Sequence, residues 1–303
     1  MKILVTGGAG FIGSHVVEAY LAEGHEVRVI DNLATGRRSN VPAAVKLYEI
    51  DIHSRETEAV FADYKPDVVN HLAAQASVKV STNDPVHDLE VNGGGTAKIA
   101  RLCVEHSVRK LIYASTGGAL YGDPDFVPVP ETHPIRALSP YGTSKRVGEL
   151  YIELYARTAA LDYTILRYAN AYGPRQDPHG EAGVIAIFAG LMMAGETCTI
   201  DGDGEQQKDY VYAGDIARAN VAALSVGSGN AINIGTGKGT SVNQIFNALA
   251  AATGNSTPAR HGPPRPGDVR NIWLDSTLAG ELLGWRHRVE IEEGIRLTVE
   301  SLR

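Results

Sequence analysis

Short apolar runs alternate with longer segments of helical period through the first half of the chain. Apolar side chains dominate residues 3–5, 26–30, 45–50, 67–72, 110–115 and 163–167, as in strands that are covered on both faces. Helices are predicted between them over residues 16–21, 54–64, 84–106 and 140–159. This alternation predicts an α/β protein with a doubly wound, parallel (Rossmann) sheet, in which ligands bind beyond the carboxyl ends of the strands.

The pattern loosens after residue 170. Two segments rich in proline and glycine, residues 173–180 and 261–267, separate shorter elements there. We therefore predict a larger nucleotide-binding domain over residues 1–174 and a smaller substrate-binding lobe over residues 175–303. Some segments of the later part are expected to pack back on the first domain.

A glycine turn joins the first strand to the first helix. Gly7, Gly10 and Gly13 form this turn, and the second strand ends at Asp31. Glycines let the backbone approach a pyrophosphate, the helix N-terminus faces its charge, and the acid binds ribose hydroxyls. A purely structural turn is the weaker interpretation, because strand, helix, second strand and terminal acid all occur in this order.

The choice between NAD and NADP depends on Asp31. A carboxylate at this point binds a free 2′-hydroxyl and repels a 2′-phosphate, so the sequence predicts NAD. Arg37 and Arg38 follow within a few residues, and they leave the alternative that a phosphate is accommodated.

Composition and charge narrow the class of protein. The chain has 303 residues, of which 44% are hydrophobic and 21% charged, as in globular α/β proteins. Its net charge of −7 disfavours a nucleic-acid partner. The longest apolar stretch, residues 183–194, is too short to span a bilayer and predicts a buried helix. Cys103 and Cys198 lack metal-ligand spacing, and we expect reduced thiols in a cytoplasmic protein without a metal site or membrane partner.

Tyr141 and Lys145 stand one helical turn apart within the long helix predicted over residues 140–159, so they share one face. A tyrosine hydroxyl titrates near pKa 10 and is a poor base at neutral pH. A neighbouring ammonium and the positive nicotinamide of an oxidised cofactor would favour its phenolate. Tyr141 could then accept the proton of a sugar hydroxyl.

A hydroxyl residue just past the preceding strand can hydrogen-bond the reacting oxygen. Counting from the strand places Thr116 in this role, with Ser115 packed behind it. Counting back from Tyr121 and Gly122 shifts the assignment by one residue. Thr116 is the expected active-site hydroxyl, and Ser115 stays open as the alternative.

Further motifs extend over nearly the whole chain. They lie at residues 5–13, 31–33, 51–52, 71–74, 92, 139–142, 166–170, 208–212, 233–236 and 265–268. With these motifs the sequence resembles the UDP-glucose 4-epimerases, a branch of the extended short-chain dehydrogenase/reductase superfamily. The resemblance implies NAD as the cofactor and a UDP-sugar as the substrate.

The resemblance also implies site residues. The expected catalytic residues are Thr116, Tyr141 and Lys145. The expected cofactor-binding residues are Gly7, Gly10, Phe11, Ile12, Gly13, Asp31, Asn32, Asp51, Ile52, Leu72, Ala73, Ala74, Asn92, Tyr141, Lys145 and Tyr168. The expected substrate-binding residues are Thr116, Tyr141, Asn170, Lys208, Arg265, Asp268 and Ile272.

Within these sets the resemblance implies individual roles. Tyr168 is expected near the nicotinamide, Arg265 on the diphosphate and Asp268 on the uridine ribose. Lys208 departs from the family pattern, where an arginine is usual, and a lysine keeps the charge but loses the bidentate fork. Ile272 falls where some of these enzymes carry a bulky tyrosine, so N-acetylated hexoses are expected to enter as well, unless Ile272 is ordinary core.

The residues after Thr116 separate the reaction types. Sugar-nucleotide 4,6-dehydratases carry Asp-Glu there, whereas Gly117 and Gly118 offer no acid or base. The resemblance therefore implies reversible epimerisation through a transient 4-keto sugar. The alternatives are another nucleotide-sugar epimerase or dehydratase of the superfamily and a non-catalytic NAD-binding scaffold. Family members commonly form a homodimer through the helix that contains Tyr141, and we expect the same here.

Overall fold

The computed structural model describes residues 1–178, 183–264 and 269–303. The strands are β1 (Lys2–Thr6), β2 (Glu26–Asp31), β3 (Lys46–Glu49), β4 (Val68–His71), β5 (Lys110–Thr116), β6 (Tyr163–Tyr168), β7 (Asn170–Tyr172), β8 (Thr199–Asp201), β9 (Gln207–Lys208), β10 (Tyr210–Tyr212), β11 (Asn230–Ile234), β12 (Thr240–Ser241), β13 (Arg260–Gly262) and β14 (Asn271–Ile272). The α-helices are α1 (Phe11–Ala22), α2 (Arg55–Tyr64), α3 (Val78–Asn83), α4 (Pro85–Leu89), α5 (Gly95–Glu105), α6 (Pro140–Ala159), α7 (Val184–Met193), α8 (Ala213–Ala223), α9 (Val242–Thr253), α10 (Thr277–Leu283) and α11 (Ile291–Glu300).

Seven parallel strands form the central sheet, in the order β11-β6-β5-β4-β1-β2-β3. The chain runs outward from β1 in one direction and then from β4 in the other, so the order reverses between these two strands. Ile3, Leu4 and Val5 are fully buried, because helices cover both faces of the sheet. The predicted doubly wound parallel sheet is confirmed, and its ligand crevice lies at the carboxyl ends next to β1 and β4.

The helices divide between the two faces of the sheet. One core joins α1 and α8 to the sheet through side chains such as Val16, Val17 and Ala219. The other joins α2, α5 and α6 through side chains such as Phe61, Ile99 and Ile152. These packing contacts hold the first turns of α1 and α6 beside the same sheet edge, which is where the predicted site lies.

The chain beyond residue 174 contributes to two parts of the structure. Strand β11 pairs with β6 in the central sheet, and α8 packs on α1. Helices α7, α9 and α11 instead surround a third core, to which Phe188, Leu249 and Ile295 contribute. The buried helix expected over residues 183–194 is confirmed as α7. The division into two domains at residue 174 stays a prediction.

The segment predicted as one helix over residues 84–106 contains a π-helical turn. Helix α4 passes into this turn at Glu90–Gly94 and continues as α5. Such wide turns occur frequently at functional sites, and this one contains Asn92. Among the described residues, no helix combines the length and the apolar character that crossing a membrane requires.

Candidate functional site

The glycine turn packs tightly between β1, α1 and the segment after β4. Gly7 has φ of +73°, and a Cβ there would lie 2.6 Å from the Ala73 nitrogen. A Cβ on Gly13 would lie 2.0 Å from the Gly7 oxygen, so only glycine lets α1 start this close to β1. Gly10 occupies the N-cap of α1, and no described side chain caps this helix end. The first amides of α1 are therefore free to bind an anion.

Acidic side chains lie where β2 and β3 end. Asp31 Oδ2 accepts a hydrogen bond from Ala9 N at 2.9 Å, and its Oδ1 accepts one from Leu33 N at 2.9 Å. Asn32 Nδ2 donates to Asp51 Oδ2 at 2.9 Å, which joins the two strand ends. A glycine cradle, an uncapped helix and a terminal carboxylate together fit a dinucleotide whose ribose has a free 2′-hydroxyl.

The two arginines that follow Asp31 lie at the protein surface. Arg37 and Arg38 are exposed, and Arg37 pairs with Asp177 at 3.3 Å. The chain therefore holds a carboxylate, and not a buried arginine, beside the ribose position that distinguishes NAD from NADP.

The segment after β4 closes the middle of the predicted cofactor site. Leu72 N donates to the Thr6 oxygen at 3.0 Å, and Ala73 N donates to Thr6 Oγ1 at 3.3 Å. Asn92 holds the next turn, because its Oδ1 accepts from Gln75 N at 3.0 Å and its Nδ2 donates to Gln75 O at 2.9 Å. The predicted cofactor residues on β1, β2, β3 and β4 thus meet at one edge. Phe11 and Ile12 begin α1, Ile52 follows β3, and Ala74 follows Ala73.

Helix α6 brings the predicted catalytic residues to this edge. Its start is set by Ser139, whose Oγ accepts from Gly142 N at 3.1 Å, and by Pro140 in the first turn. Tyr141 lies beside Thr116, whose hydroxyl is close enough to lower the pKa of Tyr141. Lys145 lies one turn further along, and its Nζ is 4.4 Å from the centre of the Tyr113 ring.

Ser115 and Thr116 have opposite surroundings, because successive residues of a strand face opposite sides of the sheet. Ser115 Oγ donates to Glu149 Oε1 at 2.7 Å in the buried interior. Thr116 Oγ1 accepts from Ala119 N at 3.2 Å and contacts Tyr141. The structure therefore brings Thr116, and not Ser115, together with the Tyr141 hydroxyl.

Burial dominates the ionisation of both helix residues. It raises the pKa of Tyr141 to about 12, a rise to which Asp88 adds and which the Thr116 hydrogen bond opposes. It lowers the pKa of Lys145 to about 7, and the carboxylates of Glu149 and Asp88 oppose that lowering. With this pKa, Tyr141 is protonated at neutral pH in the chain alone. The phenolate expected from the sequence depends on a further positive charge beside Tyr141, such as that of the oxidised nicotinamide.

A buried ion pair supports α6 and was missed in the sequence. Arg167 Nη2 lies 2.8 Å from Glu149 Oε2, and its Nη1 donates to the Tyr121 hydroxyl at 3.0 Å. Although burial disfavours the charged Glu149, Arg167 outweighs this and the pKa of Glu149 is lowered. The sequence contained one signal for Glu149, namely its spacing. Tyr141, Lys145 and Glu149 follow one another at intervals of one helical turn, so they share one face of α6.

A second cluster joins the motifs of the later part of the chain. The buried Asp209 carboxylate accepts hydrogen bonds from Thr236 N at 2.8 Å, Gly237 N at 3.2 Å and Leu274 N at 3.1 Å. A Cβ on Gly235 would lie 2.4 Å from Asp209 Oδ2, which explains the glycine in this motif. Asp209 thus fixes three segments beside the site.

The structure describes only some of the predicted substrate-binding residues. Asn170 and Ile272 line one shallow depression, together with Gly118, Ala169, Asp209 and Leu274. Lys208 is the register partner of Ile272, and its Nζ donates to the Val269 carbonyl. Arg265 and Asp268 lie outside the described residues.

Tyr168 is the last residue of β6, opposite Thr116 in register. Its hydroxyl accepts a hydrogen bond from Asn220 Nδ2 at 2.9 Å, and Asn220 is a buried residue of α8. Within the described residues, no group of three or more His, Cys, Asp or Glu side chains could hold a metal ion.

Comparison with known proteins decides the family. The model of the NAD dependent epimerase/dehydratase family matches residues 3–235. The chain belongs to this family. The UDP-glucose 4-epimerase of Mycolicibacterium smegmatis is 43% identical over 309 residues, covering 100% of this chain and 99% of that protein.

Solved structures of this family resemble the structure of this chain over its full length. The UDP-glucose 4-epimerase of Thermotoga maritima with UDP-glucose has a TM-score of 0.98 and 49% identity, covering 100% of this chain and 99% of that one. The Thermus thermophilus UDP-glucose 4-epimerase in complex with NAD has a TM-score of 0.94 and 46% identity, with the same coverage. The cofactor of this chain is therefore NAD, as the carboxylate of Asp31 predicted.

Proposed function

We propose that the protein interconverts UDP-glucose and UDP-galactose by epimerisation at C4, through a transient 4-keto sugar. The observation that carries the proposal is the convergence of Thr116 and Tyr141 at one place, with buried Lys145 one helical turn further along α6. This group lies at the sheet edge that also holds the glycine cradle and Asp31. The full-length similarity to UDP-glucose 4-epimerases supports the choice of substrate.

The chain holds NAD with groups from several strand ends. The first turn of α1 binds the pyrophosphate, and Asp31 binds the ribose hydroxyls. When bound, NAD would supply the acceptor for the hydride that leaves C4 of the sugar and the donor that returns it to the opposite face. Since the cofactor ends each cycle unchanged, it can stay bound throughout turnover.

Tyr141 moves the proton that accompanies this exchange. Its phenolate takes the proton of the C4 hydroxyl as the hydride leaves, and the neutral hydroxyl so formed returns that proton in the second half of the reaction. Thr116 orients the reacting oxygen and the Tyr141 hydroxyl. Lys145, when protonated, supplies the positive charge that favours the phenolate in a buried site.

The environment of Gly117 favours epimerisation over dehydration. A Cβ on Gly117 would lie 2.4 Å from Leu274 Cδ1, so a larger residue there would require the Leu274 side chain to move. A Cβ on Gly118 would lie 3.1 Å from Asn170 Oδ1. Water elimination needs an acid and a base near this loop, and Gly117 and Gly118 have no side chains that could supply them.

The substrate is held from the later part of the chain. Asn170 and Ile272 contact the sugar, and Lys208, Arg265 and Asp268 bind the diphosphate and uridine. The small Ile272 side chain leaves space beside the sugar's 2-substituent, so UDP-N-acetylhexosamines are also accepted. Ile272 is 3% exposed, so packing alone is the competing explanation for this residue.

The activity is tested by incubating the purified protein with UDP-galactose and following the anomeric proton signals by NMR, without added NAD. The appearance of UDP-glucose at a rate that depends on protein concentration supports the proposal. Tyr141→Phe is the matched control. A wild-type protein that retains NAD but converts neither hexose would instead be a non-catalytic scaffold.

We also propose that the protein works as a cytoplasmic homodimer. Exposed apolar side chains lie on the outer surfaces of α4 and α6, namely Val86, Leu89, Leu150, Tyr151 and Leu154. Because α4 and α6 pack against each other, these side chains form an apolar patch that suits a second copy of the chain. The cytoplasmic assignment rests on two unpaired, buried cysteines.

Sedimentation equilibrium tests the dimer. Leu150→Asp places a charge within the apolar patch and is expected to yield monomers. Val226→Asp changes an apolar side chain of similar exposure far from this patch, and the dimer should persist. A wild-type mass of one chain would contradict the proposal.

A further inference from the structure

Asp88 is a buried carboxylate that none of the motifs predicted. It lies on α4 and is 0% exposed. Its Oδ1 accepts hydrogen bonds from Gln75 Nε2 at 2.7 Å and from Asn92 Nδ2 at 3.0 Å. Its Oδ2 is equally buried and has no hydrogen-bond donor among the described residues.

The known partners of Asp88 leave its charge uncompensated. Both donors are neutral amides, and no described cation forms an ion pair with Asp88. The other buried carboxylate nearby, Glu149, is held by Arg167 and Arg146, each at 2.8 Å. A buried charge is costly unless a group of opposite sign lies close to it.

Lys145 is the buried cation that the hydrogen-bond network of Asp88 approaches. Asn92 Nδ2, which donates to Asp88, also donates to Ser144 Oγ at 3.1 Å, and Ser144 directly precedes Lys145. This chain of hydrogen bonds ties α4 to α6 beside the active site. The Asp88 charge acts on Lys145 and on Tyr141 through space.

We propose that Asp88 is a positioning residue whose carboxylate supplies the counter-charge for the Lys145 ammonium. The inference rests on the proposed function, because it assigns Asp88 a role in the same active site. A single negative charge then serves two purposes: it keeps Lys145 protonated, and it keeps Tyr141 from ionising before the site is filled.

The remaining groups around Lys145 do not replace this charge. Glu149, one turn further along α6, also raises the pKa of Lys145, but its carboxylate is already shared by Arg167 and Arg146. The Tyr113 ring on β5 offers only its face. His71 on β4 stacks on Tyr113 and is neutral, since burial and the charge of Lys145 lower its pKa to about 3.

Neutralising Asp88 should therefore shift the pKa values of Lys145 and Tyr141 in a known direction. A negative charge raises the pKa of both Lys145 and Tyr141, so Asp88→Asn should lower both values. Both limbs of the pH profile of kcat should move to lower pH, by about 1 pH unit, which is the lower end for a close charge. A merely structural defect would lower kcat at every pH without moving the profile.

The ionisation of Lys145 can be measured without turnover. The NAD-bound enzyme is prepared with lysine labelled with ¹³C at the ε-carbon, and its NMR signals are followed with pH. The Lys145 signal is identified by its loss in Lys145→Met. The midpoint in Asp88→Asn should fall by about 1 pH unit relative to wild type.

Glu90→Gln is the matched control. It removes the same charge from an exposed position near Asp88, and it should leave midpoint and kcat unchanged. Asp88→Ser, which is neutral and smaller, should show the same fall if Asp88→Asn does not fold. An unchanged midpoint in the neutral variant overturns the proposal. A protein that turns over no UDP-hexose overturns the proposed function, while the NMR midpoint still decides the role of Asp88.

Discussion

Thr116→Val and Ser115→Ala remove neighbouring hydroxyls that have opposite surroundings in β5. The Thr116 hydroxyl contacts Tyr141 and accepts from Ala119 N at 3.2 Å. The Ser115 hydroxyl donates to buried Glu149 at 2.7 Å. We therefore expect the first substitution to impair catalysis and the second to impair stability.

The expected losses of stability and activity follow from the hydrogen-bond partners of the two hydroxyls. A hydrogen bond to a charged group contributes about 1.5–3 kcal/mol, and Glu149 keeps Arg167 and Arg146, so Ser115→Ala should lower the free energy of unfolding by about 1.5 kcal/mol. Thr116→Val loses a neutral bond and should lower it by about 1 kcal/mol. Its kcat should fall by roughly 10²–10³, as for the loss of one donor to a reacting oxygen.

The assay combines initial rates with UDP-galactose and urea unfolding of both variants. Thr158→Val is the control, because Thr158 lies exposed at the far end of α6 and its hydroxyl donates only to the Leu154 carbonyl. Its kcat should match that of wild type. If Ser115→Ala loses 10²-fold in kcat while Thr116→Val stays active, the two roles are reversed and our reasoning from strand direction fails.

Three further substitutions test the remaining assignments. Tyr141→Phe should lower kcat by about 10²–10⁴ while NAD stays bound, measured by initial rates and by the absorbance of the released cofactor; activity within about threefold of wild type would contradict the role of Tyr141. Asp31→Ala should weaken NAD binding and reduce the preference for NAD over NADP, measured by calorimetry on the cofactor-free protein, and an unchanged ratio would refute it. Ile272→Tyr should selectively depress kcat/KM for UDP-N-acetylgalactosamine relative to UDP-galactose, by an amount equivalent to about 1–3 kcal/mol; equal effects on both substrates would show that Ile272 is not the gate.

Much of the fold could be predicted because consecutive residues specify it. The serine and proline before Tyr141 mark the start of α6, and its apolar period extends to the end at Ala159. The position of β11 could not be predicted in this way. A five-residue segment such as Asn230–Ile234 could belong to any sheet, and only its pairing with β6 places it at the edge of the central one.

The candidate site was predictable where its geometry is local. Tyr141 and Lys145 share a face because the helical period brings them together. Asp88 escaped prediction because its importance comes from burial and from the absence of a cation among its described partners, neither of which a spacing shows. Asp209 escaped for the same reason, since its hydrogen-bond donors follow it by many residues.

The sequence by itself determined the glycine turn, the carboxylate at the end of β2 and the Tyr141–Lys145 face. Each depends on neighbouring residues and on the fixed periods of helix and strand. Only the tertiary structure separated Thr116 from Ser115, because a shift of one residue along a strand exchanges the two sides of a sheet. It alone also joined Asp88, Asn92 and Ser144, since contacts between distant segments arise when helices pack and bury their polar groups together.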